Sequence, residues 1–193
     1  MISHSYKFIY VWIMKTGGTS INWALKDYGL GKYGVPKRTE EQKKLLNPIK
    51  HKRASELIEV EEFSNNWDEY FKFAFVRNPW DLLVSWYNYD KRGYRKFKKY
   101  ILNKAWYEPK HLFKGCFDRI SDNNGNIIAD FVGRFENIRE DFQYVCKQIG
   151  IEADLPHKNK GKRGDYRKYY NSAMAEVVEQ EFAKDIEVFG YKF

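Results

Sequence analysis

The stretch WIMKTGGTS, residues 12–20, joins a buried strand to a helix through a glycine-rich turn. The run Phe8–Met14 contains only apolar and aromatic residues, which predicts a buried β-strand. Beyond the turn, apolar residues recur at helical spacing from Ile21 to Tyr28 and Gly29 follows, which predicts an amphipathic helix ending at that glycine. A strand followed by a turn and a helix is the opening of an α/β fold.

The same order of elements returns along the chain. Residues Phe71–Val76 predict a second strand by their aromatic and β-branched content, and Asn78 and Pro79 suit the cap and first position of the next helix. The segment DFVGRFENI, residues 130–138, predicts a third short strand before another helix, and a last helix is predicted over residues 174–186. Alternating strands and helices indicate a central parallel β-sheet that is flanked by helices on both faces.

Composition limits the class of protein and its partners. A chain of 193 residues with 43% hydrophobic residues suits a single globular domain over residues 1–193. The net charge of +8 favours an anionic partner, whether nucleic acid, acidic membrane, nucleotide or acidic polysaccharide. Two cysteines, Cys116 and Cys146, give neither a disulfide framework nor a zinc signature. The absence of a long apolar stretch or cleavage signal favours a cytoplasmic protein without membrane contact.

The glycine-rich turn is a candidate anion site. Gly17 and Gly18 have no side chains, so their backbone is accessible to a ligand. Thr19 and Ser20 add hydroxyl groups, and Lys15 adds a positive charge. Backbone N–H groups and the helix dipole at such a turn favour phosphate or sulfate. The alternative is a tight turn with incidental glycines. Lys15 precedes the glycines, whereas the ATPase loop places its lysine after them, so anion binding without a metal ion is expected.

A second anion clamp is predicted where the second strand ends. Arg77 directly follows that strand, and Ser85 lies eight residues later on the next helix. Because the carboxyl ends of parallel strands share one edge of a sheet, Arg77 is expected near the glycine-rich turn. An arginine fork with a hydroxyl suits a phosphate. The alternatives are a surface ion pair between Arg77 and Asp81 and an ordinary helix serine at position 85.

The two motifs together resemble a known enzyme family. KTGGTS (15–20) and FVRNPWDLLVSWY (75–87) are similar to the 5′-phosphosulfate loop and the 3′-phosphate motif of sulfotransferases that use PAPS, 3′-phosphoadenylyl sulfate. Three later segments resemble the carbohydrate sulfotransferase branch, including the heparan 2-O-sulfotransferase relatives: VGRFENIREDFQYVCKQIGI (132–151), LPHKNKGKR (155–163) and DIEVFGY (185–191). The resemblance spans nearly the whole chain in the family's order.

The resemblance implies a P-loop-like three-layer fold and transfer of a sulfuryl group from PAPS to a hydroxyl of a carbohydrate acceptor. The transfer needs no metal ion and releases PAP. It implies that Lys15 reaches the 5′-phosphosulfate and acts in catalysis, and that Arg77 and Ser85 hold the 3′-phosphate. The cradle of the phosphosulfate is implied to comprise Thr16, Gly17, Gly18, Thr19 and Ser20. The basic loop with Lys162 and Arg163 resembles a segment that closes over nucleotide or acceptor; a solvated charged loop is the alternative.

The general base and the acceptor are the least constrained parts of the site. His51 lies in the connection that often carries the catalytic residue in relatives, so it is the first candidate for the base, followed by Glu56 and His157. His4 precedes the first predicted strand, at the wrong edge of the sheet, and His111 has no anchored position. The basic, aromatic stretch 89–104 is either a solvated helix face or a surface for an acidic glycan.

Two rival functions stay open at this point. One is a P-loop kinase of a small molecule, against which the position of Lys15 and the lack of a metal-binding aspartate after the second strand argue. The other is a basic nucleic-acid-binding module, suggested by the net charge and the aromatic content of 18%. The oligomeric state is not predicted by the sequence.

Overall fold

The computed structural model describes residues 1–29, 52–89, 96–105, 115–156 and 164–193. It divides into two compact units. Unit 1 comprises Met1–Val76 and Asp118–Lys160, and unit 2 comprises Arg77–Phe117 and Gly161–Phe193. The assignment of residues 1–193 to a single domain stays a prediction.

The fold is mixed α/β, with a central four-stranded sheet in unit 1. The strands are β1 (Ile2–Ser3), β2 (Phe8–Val11), β3 (Phe71–Val76) and β4 (Phe131–Arg134), and they lie in the order β1-β2-β3-β4. The pairs β2–β3 and β3–β4 are parallel, as predicted. The antiparallel strand β1 at the edge was not predicted, because two residues carry no periodicity. β2 ends at Val11, three residues before the predicted end at Met14.

Helices account for most of the remaining described residues. In unit 1 they are α1 (Gly18–Ala24), α2 (Ala54–Leu57), α3 (Glu61–Ser64) and α7 (Ile138–Ile149), with a 3₁₀ turn at Phe135–Asn137. In unit 2 they are α4 (Pro79–Tyr89), α5 (Phe97–Leu102), α8 (Ser172–Glu181) and α9 (Ala183–Phe189), with a 3₁₀ turn at Tyr166–Tyr169. Helix α6 (Cys116–Ile120) begins in unit 2 and continues into unit 1.

One face of the sheet forms the hydrophobic core of unit 1. Alternate residues of β2 and β3 point to this face and meet α1 and α7. The buried members of this core include Phe8, Tyr10, Phe73, Phe75, Ile21, Leu25, Phe142, Val145 and Ile149. Cys146 joins the same core as a free thiol, and burial raises its pKa. The core therefore packs β2 and β3 against α1 and α7.

Helix α4 of unit 2 starts where the sequence predicts. Asn78 caps α4, since its Oδ1 accepts from the backbone N–H of Trp80 at 3.1 Å, and Pro79 is the first helical residue. The predicted last helix is instead two helices, α8 and α9. The chain leaves helical geometry between them at Phe182, with φ −112° and ψ 24°. No helix in the described part of the chain is both long and apolar enough to cross a membrane.

Candidate functional site

The loop between β2 and α1 has the backbone of an anion-binding turn. Lys15 (φ 67°) and Gly17 (φ 88°) both adopt left-handed conformations, with Thr16 between them. The first bonds of α1 are donated to the carbonyl of Gly17 by the N–H groups of Ser20, at 2.9 Å, and Ile21, at 3.3 Å. Left-handed residues just before a helix start favour backbone N–H groups that point toward a common point.

Both glycines of the loop are required by the side chains packed against it. A Cβ on Gly17 would lie 2.3 Å from Cδ1 of Ile138, and a Cβ on Gly18 would lie 2.0 Å from Nε1 of Trp12. The glycines are therefore not incidental, but packing alone accounts for them. Anion binding is indicated by Lys15 and by the helix start rather than by the glycines.

Some side chains of the loop are buried within it, and others reach its surface. The Thr16 hydroxyl is fully buried and donates to the carbonyl of Ile13 at 2.9 Å. Because an anion needs a donor and this hydroxyl has one hydrogen, Thr16 can serve a ligand only through its backbone N–H. Ser20 is also buried, and its N–H closes the helix. The side chains of Lys15 and Thr19 are half-buried and so reach the surface of the loop.

Arg77, directly after β3, forms a buried ion pair with Asp81. Its Nε and Nη2 donate to the same Asp81 oxygen, Oδ2, at 2.7 Å and 2.6 Å. The side chains are only 6% and 16% exposed, so this is the pairing that the sequence suggested as an alternative, but buried rather than on the surface. Ser85 lies one turn beyond Asp81 on α4 and is half-buried. The structure thus places Arg77, Asp81 and Ser85 on one side of unit 2.

Tyr166 is a neighbour of this pair that sequence reasoning missed. Burial raises the pKa of its hydroxyl and the Asp81 carboxylate acts in the same direction, whereas Arg167 and a hydrogen bond with Asn78 oppose them. The guanidinium of Arg167 lies over the Tyr166 ring, 4.7 Å from its centroid. A tyrosine after a basic loop carries no signal of this contact, which only the folded unit 2 creates.

The candidates for the general base are only partly described. His51, His111 and His157, together with Lys162 and Arg163, lie outside the described residues. His4 donates or accepts bonds with the Tyr70 hydroxyl, at 2.8 Å, and Glu62, at 2.5 Å, and it precedes β2, at the edge of the sheet opposite the loop.

Glu56 has a structural partner in unit 1. Its carboxylate accepts the backbone N–H of Arg53 at 2.6 Å and so caps α2, while the Arg53 guanidinium also reaches Asp118 at 3.4 Å. Glu56 is therefore held at the helix start. Among the described residues there is no group of three or more histidine, cysteine, aspartate or glutamate side chains that could hold a metal ion.

Comparisons with known proteins give the family. Residues 1–192 match the model of the sulfotransferase family. The chain is also similar to an uncharacterized protein of Archaeoglobus fulgidus, with 34% identity over 106 residues, which are 53% of this chain and 87% of that protein. A search of solved structures finds no match. Since the family match covers almost every residue, the chain belongs to the sulfotransferase family.

Proposed function

We propose that the protein transfers a sulfuryl group from PAPS to a hydroxyl of a carbohydrate acceptor and releases PAP. The observation that carries this proposal is the loop between β2 and α1, where Lys15 stands beside a turn with the backbone pattern of an anion site. Membership of the sulfotransferase family supports sulfuryl transfer in general. The choice of PAPS, and of a carbohydrate as acceptor, follows the sequence resemblance.

The residues of the loop fit the 5′ end of the donor. We assign the phosphosulfate to the Lys15 ammonium, the N–H groups of residues 16–19 and the hydroxyls of Thr19 and Ser20. We assign the 3′-phosphate to Arg77 and Ser85. Asp81 accepts from two nitrogens of the Arg77 guanidinium and so orients it. Lys162 and Arg163 are proposed to approach the nucleotide as well.

The reaction is a displacement at sulfur. An oxygen of the acceptor forms a bond to sulfur, and the bond between sulfur and the bridging oxygen of the donor breaks. The electron pair of that bond leaves with the 5′-phosphate of PAP, so negative charge grows on the bridging oxygen. Lys15 stabilises this charge as it develops, and His51 accepts the proton of the acceptor hydroxyl. A sulfuryl group carries less negative charge than a phosphoryl group, so the proposal requires no metal clamp.

Binding and transfer assays test the proposal together. Isothermal titration calorimetry should show PAP binding that persists in EDTA, and labelled sulfate should pass from PAPS to members of a panel of glycans, phenols and peptides. Parallel assays with ATP and Mg²⁺ examine the kinase alternative. Strictly Mg²⁺-dependent nucleotide binding, or phosphoryl transfer from ATP without sulfuryl transfer from PAPS, would contradict the proposal.

A further inference from the structure

Unit 2 contains a cavity whose walls are mainly aromatic. The rings that line it belong to Trp80 on α4, to Tyr170 directly after the 3₁₀ turn, and to Tyr191 and Phe193 after α9. One side of α8 completes the wall, and every lining residue lies within unit 2. The volume of this space, which we call the Trp80 cavity, is about 800 Å³. Pockets of this size with a mainly apolar lining are typical sites for small molecules.

The aromatic wall offers ring surface rather than hydrogen-bonding groups. The indole N–H of Trp80 donates to the carbonyl of Ala175 at 3.0 Å, and the Tyr170 hydroxyl donates to the carbonyl of Trp80 at 2.9 Å. Phe193 meets Trp80 and Tyr170 edge-to-face, with centroids 5.5 Å and 5.6 Å apart, and it remains 44% exposed. These contacts hold the rings in place, and Phe193 leaves aromatic surface accessible to a ligand.

Two carboxylates stand on the α8 side of the Trp80 cavity. Glu176 and Glu179 lie three positions apart on this helix, both are exposed, and neither forms an ion pair with a described residue. Glu176 accepts a long hydrogen bond from Nε2 of Gln180 at 3.4 Å. Among the described residues that line the cavity, Lys192 alone is basic. Because like charges at this spacing on a helix repel each other, a cation bound between the two carboxylates would relieve their repulsion.

We propose that the Trp80 cavity binds a small organic ammonium ion, whose charged nitrogen faces Glu176 and Glu179 and whose apolar part lies against the aromatic rings. Aromatic faces attract ammonium groups through the ring quadrupole, and the carboxylates add direct charge attraction. An anion would instead face two like charges, and a neutral ligand would leave both carboxylates without a partner. None of the residues of this cavity is assigned to the sulfuryl donor, so the site is independent of the proposed function.

Binding of a cation to this protein is distinguishable from general charge attraction. The chain has a net charge of +8, so its overall field repels cations. Choline and its neutral isostere dimethylbutanol have the same shape and differ by a carbon atom in place of the charged nitrogen. In NMR titrations that follow the Trp80 indole N–H, benzyltrimethylammonium and choline should each give a saturable shift. Dimethylbutanol should bind wild type about 10-fold more weakly than choline.

Variants at the two walls of the cavity test each part of the site. Glu176→Gln/Glu179→Gln should bind benzyltrimethylammonium about 5- to 30-fold more weakly than wild type, because neutral amides replace both carboxylates. Phe193→Leu keeps an apolar side chain but removes the ring, so it should weaken binding of the cation about 2- to 5-fold. The control Glu69→Gln/Glu140→Gln removes two exposed carboxylates of unit 1 and should change the affinity less than about twofold.

Equal affinity of wild type for choline and dimethylbutanol would overturn the cation site, and this comparison does not depend on the stability of any variant. An equal loss of affinity in Glu176→Gln/Glu179→Gln and in its control would also overturn it. Tighter binding of benzoate than of benzyltrimethylammonium would replace it with an anion site at Lys192. Acetyl-lysine amide should bind more weakly than benzyltrimethylammonium, since its ammonium lies on a thin aliphatic stem; equal binding would overturn the small-molecule assignment in favour of a lysine of another protein.

Discussion

Arg77 and Asp81 meet side-on, with two guanidinium nitrogens donating to one carboxylate oxygen at 2.7 Å and 2.6 Å. Both side chains are largely buried, so the pair contributes to folding as well as orienting the guanidinium. An arginine held in this way loses less conformational freedom when it binds a phosphate. The same contact means that a single substitution of Arg77 changes stability and ligand binding at once.

The first prediction separates these two roles of Arg77. Arg77→Ala should weaken PAP binding about 10- to 150-fold, the equivalent of roughly 1.5–3 kcal/mol for a charge-assisted bond. It should also lower the melting temperature, because Asp81 is left buried without its cation. The double variant Arg77→Ala/Asp81→Ala should regain most of the stability but not the affinity. Calorimetry and thermal unfolding measure the two effects, and recovery of wild-type PAP affinity in the double variant would make Arg77 purely structural.

Lys15 should be needed for turnover more than for folding. Lys15→Ala and Lys15→Gly should each lower kcat by about 10²–10³-fold, since the ammonium acts on charge that develops on the leaving oxygen. Because Lys15 has a positive φ of 67°, the glycine variant should be more stable than the alanine variant by about 1 kcal/mol. Lys7, with φ 47° in the β1–β2 turn, is the matched control.

At the control position the stability difference between glycine and alanine should recur, while kcat stays at the wild-type value. Steady-state kinetics and chemical denaturation of the four variants provide the comparison. Normal kcat in Lys15→Ala would remove this residue from catalysis.

Gly18→Ala should destabilise the loop through its contact with Trp12. The added Cβ would lie 2.0 Å from the indole Nε1, so the ring has to move, at a cost of about 1–3 kcal/mol for overpacking. Trp12→Leu/Gly18→Ala should recover part of this loss. Gly164→Ala, whose added methyl meets nothing within 4 Å, is the control. Denaturant unfolding measures the free energy of unfolding of each variant. Equal stability of Gly18→Ala and wild type would show that the Trp12 indole moves aside without loss of stability.

The sequence predicted those parts of the fold whose signals are local. β3 matches the predicted range, and α4 begins at the predicted Asn78 cap. Both signals are local, because strand composition and helix capping depend on residues that are adjacent in the sequence. Contacts between distant residues carried no such signal. The contact of the Ile138 side chain with Gly17 and the packing of Phe97 on Tyr169 and Tyr170 depend on the tertiary fold. The reason for a glycine at position 17 therefore emerged only from the structure.

His51 is predicted to act in proton transfer and not in nucleotide binding. His51→Ala should lower kcat by about 10²–10⁴-fold, with PAP affinity near that of wild type. Glu56→Gln is the comparison, because Glu56 caps α2 through the Arg53 N–H and its substitution should lower stability by about 1 kcal/mol with little change in kcat. Full turnover by His51→Ala with its true acceptor would refute the assignment, and a large loss of kcat in Glu56→Gln would transfer the role to Glu56.

Removal of the buried Tyr10 hydroxyl should stabilise the protein. Its hydroxyl is buried and has no hydrogen-bond partner among the described residues, and burial raises its pKa far above the usual range for tyrosine. The ring stacks on Phe73 with centroids 5.0 Å apart, and phenylalanine keeps this packing. Since an unsatisfied buried hydroxyl costs about 1–3 kcal/mol, Tyr10→Phe should raise the free energy of unfolding by about 1 kcal/mol and the melting temperature by about 2–4 °C.

The control for Tyr10 is a tyrosine of the same unit whose hydroxyl is satisfied. The Tyr28 hydroxyl donates to the carbonyl of Glu152 at 2.6 Å, so Tyr28→Phe should lower the free energy of unfolding by about 0.5–1.5 kcal/mol. Both substitutions remove a tyrosine hydroxyl, which is fully buried without a described partner in Tyr10 and hydrogen-bonded in the half-buried Tyr28, so their effects should have opposite signs. Denaturant unfolding of both variants measures this directly. A loss of stability in Tyr10→Phe as large as that in Tyr28→Phe would mean that the Tyr10 hydroxyl has a hydrogen-bond partner in solution.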